Sequence, residues 1–327
     1  MATRPKPADQ NTTLPATAML LAASAVSAGL GYLWTIVTGH LLPPAEFAEF
    51  SAAASIIYFA VTSMSPCAQT MAYFTASYAA AGDPDSALVL ERHALRFLAG
   101  SGVVAIAGIA VTSSPLAALL HFRSPLSVVL AAASAVGVGA ILVKRGRLLG
   151  QQQFQRYSWN IIVESLLRLL LAVPLLSYVA SATASLTSYF AALLAAMALT
   201  GWVKGVTGNV DMAPVRRYFA PVFSYTIIYA GFQNIDVLIV KRMFPPVEAG
   251  MYGAASFLSR AAGMLVMPFV AFAVPHLVEA LEDPTEVRRR FVRICAQYSI
   301  LAAVAVAVIG FGRRAIILLL FGREYGP

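Results

Sequence analysis

Six charged or amide side chains sit inside otherwise apolar sequence, and their types suit an anion or a polyol. Arg260 lies eleven residues into an apolar run that begins near residue 249, so at about 1.5 Å per residue it is roughly 16 Å deep. Arg168 is ten residues into another run and reaches about 15 Å. A guanidinium at such depth costs about 3 kcal/mol on insertion scales and generally faces a bundle interior or a watery cavity. Its permanent charge and forked donors suit a phosphate. Arg260 therefore reads either as an anion-binding group or as half of an interhelical ion pair. Glu164, four residues before Arg168, shares its helix face, and pairing would lower the insertion cost. A carboxylate held beside an arginine can also exchange a proton. Asp236 stands near Lys241 and Arg242 and reads as an interfacial charge or a substrate contact. Gln233 and Asn234 extend that polar face, where amides bind sugar hydroxyls or link helices.

Other chemistries have no residues to carry them. His40, His93, His121 and His276 are scattered, and Cys67 and Cys295 are isolated in or beside apolar helices. Neither a metal-ligand spacing nor a disulfide framework results, and no Gly-rich phosphate loop follows a strand. The chain is read as a non-enzyme without metal or cofactor. The segment from Lys144 to Tyr157 is basic and Gln-rich, reading as a loop on the positive side or as an attractor of anionic lipid headgroups. Gly146 and Gly150 form a Gly-x-x-x-Gly spacing, as do Gly201 and Gly205, both weak packing signals.

The elements that position these groups must be membrane helices. The chain of 327 residues is 59% hydrophobic and 12% charged, with mean hydropathy +0.75, against about 25% charged residues in a soluble domain. Its net charge of +8 is spread between apolar runs rather than gathered on a polar domain, which argues against a nucleic-acid partner. Runs of spanning length predict an all-α bundle with about nine helices, near 15–41, 48–76, 95–120, 126–143, 158–179, 182–203, 218–240, 249–278 and 293–312. Pro66, Pro174 and Pro268 are expected to kink their helices. With the N-terminus in the cytoplasm, fifteen Lys and Arg fall on the inner side and six on the outer, and Arg168 and Arg260 lie within helices.

The sequence also repeats. Pro245, Pro246, Glu248, Ala254, Ala255 and Pro268 each fall 202 residues after Pro43, Pro44, Glu46, Ala52, Ala53 and Pro66. An even number of crossings must separate the units, so they form two parallel-repeat lobes of six helices. The expected division is a cytoplasmic tail over 1–13, a first lobe over 14–204, a linker over 205–217 and a second lobe over 218–327. About three helices of the second lobe are missing, so the chain reads as a fragment ending with that lobe incomplete. Arg260 has Tyr58 as its repeat mate, so any charge it brings to a cavity is one-sided.

The run Gln233-Asn234-Ile235-Asp236-Val237-Leu238-Ile239-Val240, the run Pro245-Pro246-Val247-Glu248-Ala249-Gly250-Met251-Tyr252-Gly253-Ala254-Ala255 and the first copy Leu42-Pro43-Pro44-Ala45-Glu46-Phe47-Ala48-Glu49-Phe50 resemble bacterial polysaccharide or O-antigen flippases. These belong to the superfamily that also holds lipid II flippases and multidrug-and-toxin-extrusion antiporters. The resemblance implies an alternating-access transporter in the bacterial inner membrane. It would move a polyprenyl-pyrophosphate-linked oligosaccharide from the inner to the outer leaflet for surface polysaccharide or lipopolysaccharide biosynthesis, alongside a polysaccharide polymerase and glycosyltransferases. Arg260 matches the place where such proteins often carry a cavity cation. A cation-coupled exporter of small molecules, relying on Glu164 or Asp236, and a non-transporting membrane scaffold are the alternatives.

Overall fold

The computed structural model describes residues 10–201, 208–261 and 284–325, and every regular element among them is helical. In chain order these are α1 (Gln10–Leu41), α2 (Pro44–Ser63), α3 (Ser65–Ala80), α4 (Pro84–Val111), α5 (Ser113–Leu119), α6 (Pro125–Gly150), α7 (Phe154–Tyr178), α8 (Ala182–Leu199), α9 (Met212–Met243), α10 (246–261 as described) and α11 (Pro284–Phe321), with a 3₁₀ turn at Arg323–Tyr325. Eight stretches are long and apolar enough to cross a membrane, counting α2 and α3 as one. The remaining expected crossing is the run holding α10, whose continuation with Pro268 and His276 lies outside the described residues, as do residues 1–9 of the expected tail and 205–207 of the expected linker.

Local chemistry sets the helix ends. Pro44, Pro84 and Pro125 start their helices, where the missing N–H costs nothing. Asp83, Ser181 and Asp211 cap α4, α8 and α9 with side-chain oxygens. Pro66 breaks the expected 48–76 helix outright, with Met64 ending α2 and opening α3, because a proline cannot donate to the preceding turn. Pro174 lies inside α7, which continues through it.

Several boundaries depart from the sequence reading: α9 begins at Met212 rather than near 218, and α11 runs Pro284–Phe321 rather than 293–312. The third crossing starts at Pro84 rather than near residue 95 and ends at Val111, with α5 as a separate short helix. The fourth continues to Gly150 rather than stopping at residue 143, so Lys144, Arg145 and Arg147 belong to its last turns and not to a loop. Hydropathy stops early there because the charges that end the apolar run are paired inside the protein.

In the first lobe α1 packs along α7, α3 and α4 pack on α6, and α8 fits between α6 and α7, while α9 lies against α2 and α3. Gly146 and Gly150 make close approach possible: a Cβ on either would meet the Ala68 or Ala72 carbonyl oxygen at 2.5 Å. Near the two Pro-Pro turns, Trp34, Phe47, Phe50, Phe257 and Phe321 form one aromatic core.

The repeat is visible in the helices themselves. The bounds of α1 and α9 differ by 202 at both ends, Gln10 to Met212 and Leu41 to Met243. Phe47 N–H donates to Pro43 O and Ala249 N–H to Pro245 O, each at 3.0 Å, the same bond one period apart. Equivalent positions also meet across the lobes: a Cβ on Gly253 would lie 2.8 Å from that of its mate Ser51, and Arg260 stands 5.7 Å from the ring of its mate Tyr58.

Candidate substrate-binding site

Arg260, Asp236 and Gln233 come together at a pocket of about 290 Å³ between α9 and α10, also lined by Phe232, Tyr252 and Ser259. Helix spacing explains the convergence, since Gln233 and Asp236 are three residues apart and Tyr252 and Arg260 are two turns apart, each pair on one face. Tyr252 donates its hydroxyl to Asp236 Oδ2 at 2.8 Å. The Arg260 guanidinium reaches Asp236 Oδ1 at 4.0 Å, Gln233 O at 3.3 Å and Ser55 Oγ at 3.4 Å, and faces the Phe257 ring at 5.8 Å. No contact is short, so the cation is held loosely and keeps donors for another acceptor. Asp236 thus faces Arg260 and Tyr252. Gln233 donates its amide to the Tyr229 hydroxyl at 2.7 Å. Asn234 does not join this group: it is buried and donates to Ala230 O of its own helix at 2.9 Å.

Arg168 lies in the first lobe. It is buried, yet no carboxylate or carbonyl bonds it among the described residues, and its Nε is without a partner. Aromatic faces hold it instead, with Cζ 4.8 Å from the Trp34 ring and 5.2 Å from that of Tyr189. Such contacts contribute about 0.5 to 2 kcal/mol each and leave the guanidinium edge uncommitted. Gly31 gives it room, since a Cβ there would sit 3.0 Å from Arg168 Nη2. A row of rings joins it to the second lobe: Trp34 meets Phe50 at 5.0 Å, Phe50 stacks on Phe257 at 6.1 Å, and Phe257 faces Arg260 at 5.8 Å. The two guanidiniums therefore border one aromatic-lined region from opposite lobes. By helix rise, Arg168 is about 15 Å and Arg260 about 21 Å from the Pro-Pro end, a difference of roughly one turn.

The expected Glu164–Arg168 pair does not form. Glu164 instead accepts from Arg145 at 2.5 Å, and Arg145 also donates to Asn160 Oδ1 at 2.8 Å. The i,i+4 spacing permitted the first pairing, but the extra turns of α6 bring a competing cation from a neighbouring helix. A further ionic group, missed in the sequence, lies beside it: Glu91 on α4 binds Arg147 and stands 3.9 Å from Lys144, which also donates to Gly201 O. The sequence reading puts Lys144 and Arg147 in a basic loop and begins the third helix near residue 95, beyond Glu91, so hydropathy offers no signal that the three charges share a buried site.

At the Pro-Pro end polar groups tie elements of the first lobe together, and two second-lobe cations, Lys241 and Arg242, reach them. Glu49 accepts from Arg123 N–H at 2.7 Å and Glu46 from Arg123 Nη1 at 2.7 Å and Ala182 N–H at 3.2 Å. Lys241 is buried against the Phe122 ring, and Arg242 contacts His121 at 3.4 Å. Burial keeps the Tyr325 phenol well above its usual pKa, so it remains a neutral donor to Leu42 O at 2.9 Å.

An all-helical bundle with eight stretches of spanning length among the described residues, and two halves that share a parallel repeat, is the architecture of a multi-pass membrane protein. In agreement, a solved structure described as the inward-facing conformation of a multidrug resistance MATE family transporter of the MOP superfamily superposes with a TM-score of 0.68 at 13% identity, over 92% of this chain and 73% of that one. The family model described as polysaccharide biosynthesis protein matches residues 14–281, and the chain belongs to that family. No curated protein matches it.

Proposed function

We propose that this protein is a flippase that moves a polyprenyl-pyrophosphate-linked oligosaccharide from the inner to the outer leaflet of the bacterial inner membrane, with its N-terminus in the cytoplasm. The observation that carries the reading is the placement of Arg168 and Arg260 on different lobes at similar depth, each with guanidinium donors uncommitted to a close carboxylate. A pyrophosphate offers charge and several acceptors to two such forks, while Gln233, Asp236 and Tyr252 provide polar groups for sugar hydroxyls. Rocking of one lobe against the other about this region gives alternating access. Surface polysaccharide biosynthesis supplies the setting, with the glycosyltransferases that build the substrate and the polymerase that consumes it as partners.

Arg260→Ala is expected to abolish surface polysaccharide in cells that depend on this protein, with Arg260→Lys partly active and Arg168→Ala impaired. Immunoblotting of membranes confirms that each variant accumulates. Normal polysaccharide with stable Arg260→Ala protein would remove Arg260 from the mechanism.

The Asp236–Arg260–Tyr252 arrangement favours one competing reading, a cation-coupled exporter in which Asp236 exchanges the coupling ion. That reading requires small-molecule accumulation to rise in cells lacking the protein, and unchanged accumulation discards it.

A further inference from the structure

A second pocket, of about 610 Å³, lies far from the inter-lobe region at the opposite end of the first lobe, between the ends of α6, α7 and α8. Its lining changes character with depth. Gln155 and Arg156 belong to the first turn of α7, Trp159 and Val163 lie one and two turns further in, and Leu148 and Leu199 close the apolar side. From Arg156 to Val163 the helix rises about 10 Å. A cation and amides thus stand at the mouth, with a greasy channel behind them.

Three further features narrow what fits. Arg156 is exposed and bonds only the neutral Gln153 Oε1 at 3.1 Å, with no carboxylate near it among the described residues, whereas the neighbouring cations Arg145 and Arg147 are bound to Glu164 and Glu91. Trp159 presents 60% of its surface, and an exposed Trp a turn inside a helix end is an interfacial anchor in a bilayer. The polar groups on the wall are bonded within the protein, Asn160 between Arg145 and Ala196 O, the Thr200 hydroxyl to Met197 O and Gly201 O to Lys144, which leaves the apolar side chains to meet a guest.

We infer that this pocket binds an anionic phospholipid of the surrounding bilayer, its phosphate at Arg156 and one acyl chain along Trp159, Val163 and Leu199. The uncapped start of α7 adds backbone N–H donors beside the same phosphate. A zwitterionic lipid fills the apolar channel equally well but gains less at Arg156. The site is independent of the transport proposal, since it contains none of the inter-lobe residues.

The full chain in phosphatidylcholine nanodiscs, doped with brominated phosphatidylglycerol or brominated phosphatidylcholine, tests this through quenching of Trp159, isolated by subtracting Trp159→Phe. The anionic lipid is expected to quench at about one-fifth the mole fraction needed by the zwitterionic one, the preference that about 1 kcal/mol per arginine gives. Arg156→Gln should erase the preference and leave quenching by phosphatidylcholine intact. Equal quenching by both lipids in the parent protein, or a preference that survives Arg156→Gln, overturns the assignment. Inorganic phosphate should leave the preference unchanged, and its loss on adding phosphate would mark a soluble-anion site and overturn the lipid.

Discussion

Glu91 exposes none of its side chain, and neither does Lys144. Two buried charges attract strongly, but each has given up its hydration, so such a pair adds little net stability while the removal of one partner is costly. Glu91→Gln leaves Lys144 and Arg147 facing a neutral amide and is expected to destabilise the protein by about 3 to 5 kcal/mol, visible as a large drop in apparent melting temperature in detergent. Glu91→Gln combined with Lys144→Met should recover much of that loss. If Glu91→Gln melts like the parent, the cluster is not the anchor of α4 on α6. At the same scale, Arg168 shows how far sequence reasoning reaches. Its place inside an apolar helix was legible from position alone, whereas its partner was not, because the carboxylate on its own helix face turned to a cation on another helix.

At the scale of the element, α6 is the central post of the first lobe, touching α2, α3, α4 and α8. Its Gly146 and Gly150 bring it against the α3 backbone, so any added side chain there must push α3 away. Gly150→Val is expected to cost about 1 to 3 kcal/mol by overpacking, while Gly108→Val, at a helix position with open space around it, should cost less. Comparing the thermal stability of the two purified variants checks this, and equal losses would deny α6 its close approach. In the sequence this Gly-x-x-x-Gly spacing was indistinguishable from many others, since a glycine shows only that a side chain is absent and not which backbone fills the space.

At the scale of the whole molecule, the two lobes meet at the Pro-Pro end. A Cβ on Gly253 would be closer to that of Ser51 than the 3.5 to 4.5 Å of a relaxed disulfide, so a slight parting of α2 and α10 lets Ser51→Cys and Gly253→Cys bond. In a background of Cys67→Ala and Cys295→Ala, oxidation is expected to lock this end and stop polysaccharide export, and reduction to restore it. Full export with a fully formed cross-link would show that the two turns do not separate during transport.

The amino-acid sequence by itself determined that the chain spans a membrane as helices, that its halves are related, and which cations lie within apolar helices. Those properties follow from hydropathy, period and distance along a helix, all of which are local. Tertiary structure alone decided the company each charge keeps. Glu164 turned to Arg145, Glu91 gathered Lys144 and Arg147, Asn234 turned into its own helix, and Asp236 faced Arg260. In a low-dielectric interior an ion gains most from a counter-charge that packing brings close, and residues far apart in the chain decide whether one is there.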